Sequence, residues 1–154
     1  QGSTNAYLTT TSFSLSGTCS SVTSKDIDED GFDDIFVSNT SYAAPPNSNS
    51  GQVNIYKGKS TWSGTNSPNT QITGTNNGYK FGSKVSLMDI NNDNILDLIV
   101  SEPYAVSGAA AGVGRVLIFH NSSSKDFSGI SYSSPNLTIQ GESAGSNFGS
   151  YLLY

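Results

Sequence analysis

The sequence contains an internal repeat, and this repeat restricts the fold more than any other feature. An acidic segment that begins at Asp26 recurs at Asp89, and the apolar run Ile35–Val37 recurs with the same spacing as Leu98–Val100. Further along the spacing becomes wider, because residues are inserted in the Ser-rich stretch before Pro135. An internal repeat is the sequence signature of proteins that stack one supersecondary unit on the next. We therefore expect two stacked units of the same fold.

Each unit consists of short β-rich runs separated by Gly, Pro, Asn and Ser, with no helical period in any long window. In the second unit these runs are Lys84–Met88, Leu98–Val100, Arg115–His120 and Asn136–Gln140. Four strands per unit is the arrangement of a β-propeller blade. The contiguous apolar runs fit, because a blade between two neighbours is buried on both faces. The sequence predicts an all-β protein of two four-stranded propeller-type blades, flanked by single strands of neighbouring blades.

Nine of the twelve carboxylates lie in two short windows at equivalent places in the repeat: Asp26, Asp28, Glu29, Asp30, Asp33 and Asp34 in the first, and Asp89, Asp93 and Asp97 in the second. The first window has oxygen-bearing side chains at positions 1, 3, 5 and 9 and Gly31 at position 6. This pattern is typical of a loop that wraps around calcium, in which position 7, here Phe32, offers its carbonyl. Position 12 is Val37, within a β-rich run, so the loop precedes a strand and is not an EF-hand.

The second window repeats the pattern with Asn91 at position 3 and Asn94 in place of the glycine. Asparagine tolerates the left-handed backbone that this position needs, so we expect the turn to be kept. The window has fewer negative charges, and we expect it to bind a cation more weakly. For both windows the alternative is a solvated turn rich in Asp and Asn.

Other motifs accompany these loops: the pairs Phe81-Gly82 and Phe148-Gly149, a Ser-Glu-Pro103 segment, and a Gly-x-Val-x-Ile-Tyr strand at Gly51. Together they resemble the FG-GAP repeats of integrin α-subunit propellers, over nearly the whole chain. The resemblance implies that a calcium loop joins the first two strands of each blade, with one or two structural Ca²⁺ ions. The implied ligands are Asp26, Asp28, Asp30, the Phe32 carbonyl and Asp34 in the first loop, and Asp89, Asn91, Asp93, the Ile95 carbonyl and Asp97 in the second. The first unit departs from the family pattern where Thr18-Cys19 occupies the Phe-Gly place and Asn39-Thr40 the Pro-containing turn.

The repeat also predicts the domain boundaries. Because Phe13–Gly17 matches Leu137–Gly141, residues 1–17 are expected to be the last strand of a preceding blade. The first blade is then 18–80, the second is 81–147, and residues 148–154 begin a following blade. Two blades cannot close a ring, and open blades expose strand edges. The chain is therefore predicted to be either part of a longer propeller or a subunit whose copies stack head to tail into a filament.

Several classes of function have little support in the sequence. The net charge of −5 and the scattered basic residues argue against a nucleic-acid surface. No apolar run is long enough to insert into a membrane. His120 is the only histidine, and neither a nucleophile elbow nor a phosphate-binding loop is present, so we predict that the chain is not an enzyme. Cys19 is the only cysteine, which excludes an internal disulfide.

Asn39, Asn121 and Asn136 each begin an N-glycosylation triplet, although a chain rich in Asn, Ser and Thr contains such triplets by chance as well. Calcium loops and acceptor triplets together favour an extracellular or cell-surface location. The predicted function is an extracellular calcium-binding module that acts in adhesion or in binding a protein or carbohydrate. The predicted partners are other proteins, further blades of the same or another copy, and glycans. The alternative is a structural subunit, glycosylated or not, that assembles into filaments.

Overall fold

The computed structural model describes residues 19–64 and 66–152, and this part of the chain folds into strands and loops without a helix. The strands are β1 (Ser21–Lys25), β2 (Asp34–Asn39), β3 (Gln52–Tyr56), β4 (Thr70–Thr73), β5 (Val85–Met88), β6 (Asp97–Glu102), β7 (Arg115–Phe119) and β8 (Leu137–Gln140). They form two four-stranded antiparallel sheets, in the orders β1-β2-β3-β4 and β5-β6-β7-β8. The predicted all-β fold of two blades is confirmed. The strand predicted within residues 1–17 lies outside the described residues.

The two sheets repeat each other in register as well as in order. Ile35 pairs with Tyr56 in the first blade, and Leu98 pairs with Phe119 at the equivalent positions of the second.

The described residues provide no helix that could span a membrane.

The main hydrophobic core lies between the two blades. Because side chains alternate along a strand, Phe36, Val53, Ile55 and Ile72 share one face of the first blade. They form one buried cluster with Val85, Leu98, Val100, Leu117 and Phe119 of the second blade. Burying a side chain of this size contributes roughly 1.5–3 kcal/mol. The packing of one blade on the other therefore stabilises both.

The Phe-Gly pair at the start of the second blade forms part of this junction. Phe81 is fully buried and forms a parallel bridge with Gly51 of the first blade. Gly82 has a φ of +88°, and a Cβ atom there would lie 2.8 Å from the Cβ atom of Ser38. Only glycine fits both conditions. Phe148 forms the same bridge with Gly114. The following blade that residues 148–154 are expected to begin stays a prediction.

The segment 121–135, which joins β7 to β8, reaches back to the first blade, and we call it the clasp. The clasp contains no strand, and its residues Phe127 and Tyr132 are buried in the core between the blades. The hydroxyl of Thr70 in β4 also donates to the Asp126 carbonyl, at 3.3 Å. The clasp therefore covers the joint between the blades.

Candidate metal centre

The first acidic loop joins β1 to β2 and is shaped by its own carboxylates. The two oxygens of Asp26 accept hydrogen bonds from the amides of Asp30 and Gly31, at 3.1 and 2.9 Å. Asp30 Oδ1 accepts one from the amide of Phe32, at 2.8 Å. These bonds fold the loop into tight turns that place alternate side chains on its inner side.

The loop backbone is left-handed at the position where the sequence has glycine. Gly31 has a φ of +92°, and its counterpart Asn94 has a φ of +65°. The prediction that asparagine keeps the turn in the second loop is therefore confirmed.

Three carboxylates converge in the first loop. Asp26, Asp28 and Asp30 each offer an oxygen within 4.8 Å of the others, the one such group of acidic, His or Cys side chains in the described part of the chain. Lys57 Nζ lies 3.3 Å from Asp28 Oδ2 and offsets part of this charge. Carboxylate oxygens at this separation fit a hard divalent cation such as Ca²⁺.

Asp34, predicted as a further ligand, has a structural role in the fold. Its side chain is buried, and its oxygens accept hydrogen bonds from the amides of Gly58 and Ile27, at 2.7 and 3.1 Å. Burial raises the pKa of this carboxyl, with a smaller contribution from Asp28 and Asp30, although the two amides act in the opposite direction. Asp34 thus joins the acidic loop to the end of β3.

Asp97 occupies the same position in the second blade and accepts from the amides of Ile90 and Asn121, at 3.0 Å each. Metal binding by Asp34 and Asp97 stays a prediction. Metal binding by the carbonyls of Phe32 and Ile95 also stays a prediction. The Phe32 carbonyl packs against Gly58, where a Cβ atom would lie 2.4 Å from it.

The second acidic loop has the same backbone hydrogen bonds but a different set of side chains. Asp89 accepts from the amides of Asp93 and Asn94, at 3.1 and 2.8 Å. The Asn91 amide group donates to Asp93 Oδ2 at 2.9 Å. Because an N–H group already faces this carboxylate, the second loop needs a cation less than the first.

The side chain of His120, which follows β7, contacts this second loop. The sequence did not suggest this contact. The His120 Nδ1 atom lies 2.7 Å from Asn91 Nδ2 and 3.4 Å from Asp97 Oδ2. The repeat contained the signal, because Lys57 stands at the equivalent position of the first unit and contacts Asp28 in the same way. Each blade therefore places a basic side chain from the end of its third strand against its acidic loop.

The predicted glycosylation sites differ in accessibility. Asn136 is exposed, and Asn39 is half-buried at the end of β2. Asn121 is buried, and its Nδ2 atom, which would carry a glycan, is enclosed. The burial of Asn121 argues against its glycosylation. Glycosylation of Asn39 and Asn136 stays a prediction.

The comparisons with known proteins agree with this geometry. The family model described as the FG-GAP repeat matches residues 81–119. This range runs from the buried Phe-Gly pair through β5, the second acidic loop and β6 to the end of β7. The chain belongs to the FG-GAP repeat family. The first blade of this FG-GAP protein has the same strand order and register as the second.

Three curated relatives share the name phosphatidylinositol-glycan-specific phospholipase D. The Mus musculus protein is 30% identical over 136 residues, which cover 86% of this chain and 16% of the relative. The Bos taurus protein is 29% identical over 142 residues, with the same two coverages. The Dictyostelium discoideum protein is 27% identical over 135 residues, which cover 78% of this chain and 14% of the relative.

The FG-GAP chain thus spans about one sixth of the length of the relatives that it matches. Their name describes enzymes, whereas the similarity is confined to a small part of each. The prediction that this chain is not itself an enzyme stays a prediction.

Proposed function

We propose that this chain is an extracellular calcium-binding FG-GAP module in which calcium is structural. The observation that supports this most directly is the convergence of Asp26, Asp28 and Asp30 within 4.8 Å. Like charges at this distance repel, and Ca²⁺ is a cation that carboxylate oxygens bind readily. Calcium would supply the charge that offsets this repulsion.

The residues around the three carboxylates connect the loop to the fold. Asp34 fixes the start of β2 through two amides, and Ile27, between Asp26 and Asp28, belongs to the core between the blades. An ion that binds only the folded loop stabilises the fold, by about 2.7 kcal/mol at a concentration 100-fold above its Kd. Calcium would thereby stiffen the first blade and its joint with the second.

We further propose that the module acts in adhesion, or in binding another protein or a glycan, outside the cell. Millimolar extracellular calcium suits loops of modest affinity. The segment between β6 and β7 supports a binding role, because it exposes Tyr104 and Val106 and contains no charged residue from Pro103 to Gly114. Lys80 Nζ lies 4.4 Å from the centre of the Tyr104 ring at the edge of this surface.

The alternative from the sequence, a subunit that stacks head to tail into a filament, has less support. Such stacking needs the outer face of the first blade, on which Val22, Val37 and Tyr56 lie. Val37 and Tyr56 are already only 5% exposed each in the single chain. We therefore favour the calcium-binding module.

The experiment is a thermal unfolding series in millimolar Ca²⁺ and in chelator. We expect calcium to raise the melting temperature of the unmodified chain and of the control Asp126→Asn, which removes a partly exposed carboxylate outside the two acidic loops. In Asp30→Asn the increase should be largely lost. A full calcium-dependent increase in Asp30→Asn would contradict the proposed site.

A further inference from the structure

Lys57 contacts one of the three converging carboxylates of the first acidic loop directly. Its Nζ atom lies 3.3 Å from Asp28 Oδ2, while Asp28 Oδ1 accepts a hydrogen bond from the amide of Asp30 at 3.3 Å. In the described part of the chain, no other Lys, Arg or His side chain forms an ion pair with Asp26, Asp28 or Asp30. Lys57 is therefore the side-chain cation that this part of the chain places at the candidate metal centre.

The backbone at the end of β3 holds Lys57 in this position. The Lys57 amide donates a hydrogen bond to Asn69 Oδ1 at 2.8 Å, so the side chain reaches the loop from an anchored residue. The second blade repeats the arrangement, because His120 Nδ1 lies 2.7 Å from Nδ2 of Asn91, the counterpart of Asp28. In both blades a basic residue after the third strand thus faces position 3 of the acidic loop.

A second lysine contacts the first loop without touching a converging carboxylate. Lys125 Nζ lies 2.8 Å from Glu29 Oε1, and the Glu29 side chain is 74% exposed. Glu29 is not one of the three residues whose oxygens converge. A cation held by those three carboxylates leaves the pair between Lys125 and Glu29 in place, whereas it competes with Lys57 for Asp28 Oδ2.

We propose that Lys57 is the internal counter-ion of the first acidic loop and that Ca²⁺ displaces it from Asp28. This inference rests on the proposed function of the loop as a calcium site. Without the ion, the charge of Lys57 offsets part of the repulsion among the three carboxylates. When the ion binds, it repels Lys57 and must break a partly exposed ion pair before Asp28 becomes a ligand. Lys57 therefore lowers the calcium affinity of the loop while it stabilises the loop without calcium.

The proposal predicts opposite effects of one substitution on two measurements. Lys57→Met keeps an unbranched side chain and removes its charge. In chelator it should lower the melting temperature, because the three carboxylates lose their counter-ion. In isothermal titration calorimetry it should bind Ca²⁺ about two- to fivefold more tightly, which is the contribution of a partly exposed ion pair. A lysine that only supported the fold would not give tighter binding when it is replaced.

Two other lysines provide matched controls. Lys125→Met removes a charge that contacts the same loop through Glu29, and Lys59→Met removes the charge that lies 4.7 Å from the centre of the Trp62 ring. Neither control should raise the calcium affinity as far as Lys57→Met does. An equal increase in Lys125→Met would mean that net charge near the loop sets the affinity, and it would overturn the proposal. Unchanged or weaker binding by Lys57→Met, or an unchanged melting temperature in chelator, also overturns it.

Amine labelling of the unmodified chain keeps the proposal testable if Lys57→Met fails to fold. Acetylation by an N-hydroxysuccinimide ester, followed by mass spectrometry, should modify Lys57 faster in saturating Ca²⁺ than in chelator, with Lys59 as the internal reference. The same ratio of Lys57 to Lys59 labelling in both conditions overturns the displacement. If calorimetry shows no calcium binding by the unmodified chain, the proposed function fails and this inference fails with it. Calcium binding without the effects at Lys57 overturns this inference alone.

Discussion

Phe127 of the clasp packs edge to face against Phe36 of β2, with ring centroids 5.8 Å apart and an angle of 86° between the rings. A residue from the second blade thus lies beside the strand that follows the first acidic loop. Nearby in the clasp, Lys125 Nζ lies 2.8 Å from Glu29 of that loop. The clasp therefore connects the second blade to the candidate metal centre of the first.

Phe127→Ala is expected to lower the free energy of unfolding by about 3–5 kcal/mol, because it leaves a cavity in the core between the blades. Tyr151→Ala is the control, since Tyr151 is 85% exposed and its loss should cost less than about 0.5 kcal/mol. Urea unfolding measures both. Equal stability of the two variants would show that the clasp contributes nothing to the joint.

A buried ion pair lies at the same joint. Arg115 Nε is 2.6 Å from Glu102 Oε2, and the Glu102 side chain is fully buried. The Tyr132 hydroxyl accepts hydrogen bonds from Arg115 Nη2 and Asn76 Nδ2, at 2.7 Å each. Burial raises the pKa of Glu102, although Arg115 acts against it. Burial lowers the pKa of Arg115, but Glu102 and Tyr132 together outweigh this effect and the net shift is upward.

Arg115→Met should cost about 3–5 kcal/mol at neutral pH, because it leaves a buried carboxylate without its cation. The double variant Glu102→Gln, Arg115→Met should recover part of that loss. In the single variant the pKa of Glu102 is higher in the folded than in the unfolded chain. The penalty is then absent below the ordinary glutamate pKa and complete above the raised one. Chemical unfolding as a function of pH measures this, and a pH-independent penalty would contradict the account.

The pKa of Asp126 in the clasp is shifted in the opposite direction, downward. Hydrogen bonds from the Ser124 hydroxyl and the Ser128 amide lower its pKa to about 2. Its contribution to stability is therefore complete above the ordinary aspartate pKa and is lost as the pH falls through the lowered one. Since Asp126 is partly exposed, we expect less than about 1 kcal/mol. The difference in melting temperature between the unmodified chain and Asp126→Asn should disappear at low pH, and a difference that persists there would exclude this cause.

Asn91→Asp should give the second loop the three carboxylates of the first and create a second calcium site. Asn92→Asp is the matched control, because it adds the same charge one position away, where the first loop has Glu29. Calcium titration followed by calorimetry should show a second ion for Asn91→Asp and not for Asn92→Asp. A second ion in both variants would mean that net charge, and not position 3 of the loop, decides binding.

The repeat made most of this fold predictable. Acidic loops, strands and Phe-Gly pairs each occur twice in the sequence, so each could be recognised by comparison with its repeat. The clasp could not be predicted, because Phe127 and Tyr132 stand in a Ser-rich insertion without periodicity and without a counterpart in the first unit. The buried state of Asn121 was missed for the same reason. The glycosylation triplet at Asn121 indicates a surface site, whereas Asn121 Oδ1 accepts hydrogen bonds from the amides of Ser122 and Phe127 inside the clasp.

The most direct test of the central claim is the number of calcium ions that the chain binds, measured by isothermal titration calorimetry. Asp28→Asn is the decisive variant, because it gives the first loop the position-3 side chain of the second while keeping the size of residue 28. We predict one ion per unmodified chain and a loss of affinity of at least about 10-fold in Asp28→Asn, which corresponds to about 1.4 kcal/mol. Absence of calcium binding by the unmodified chain, or equal affinity in Asp28→Asn, would contradict the account.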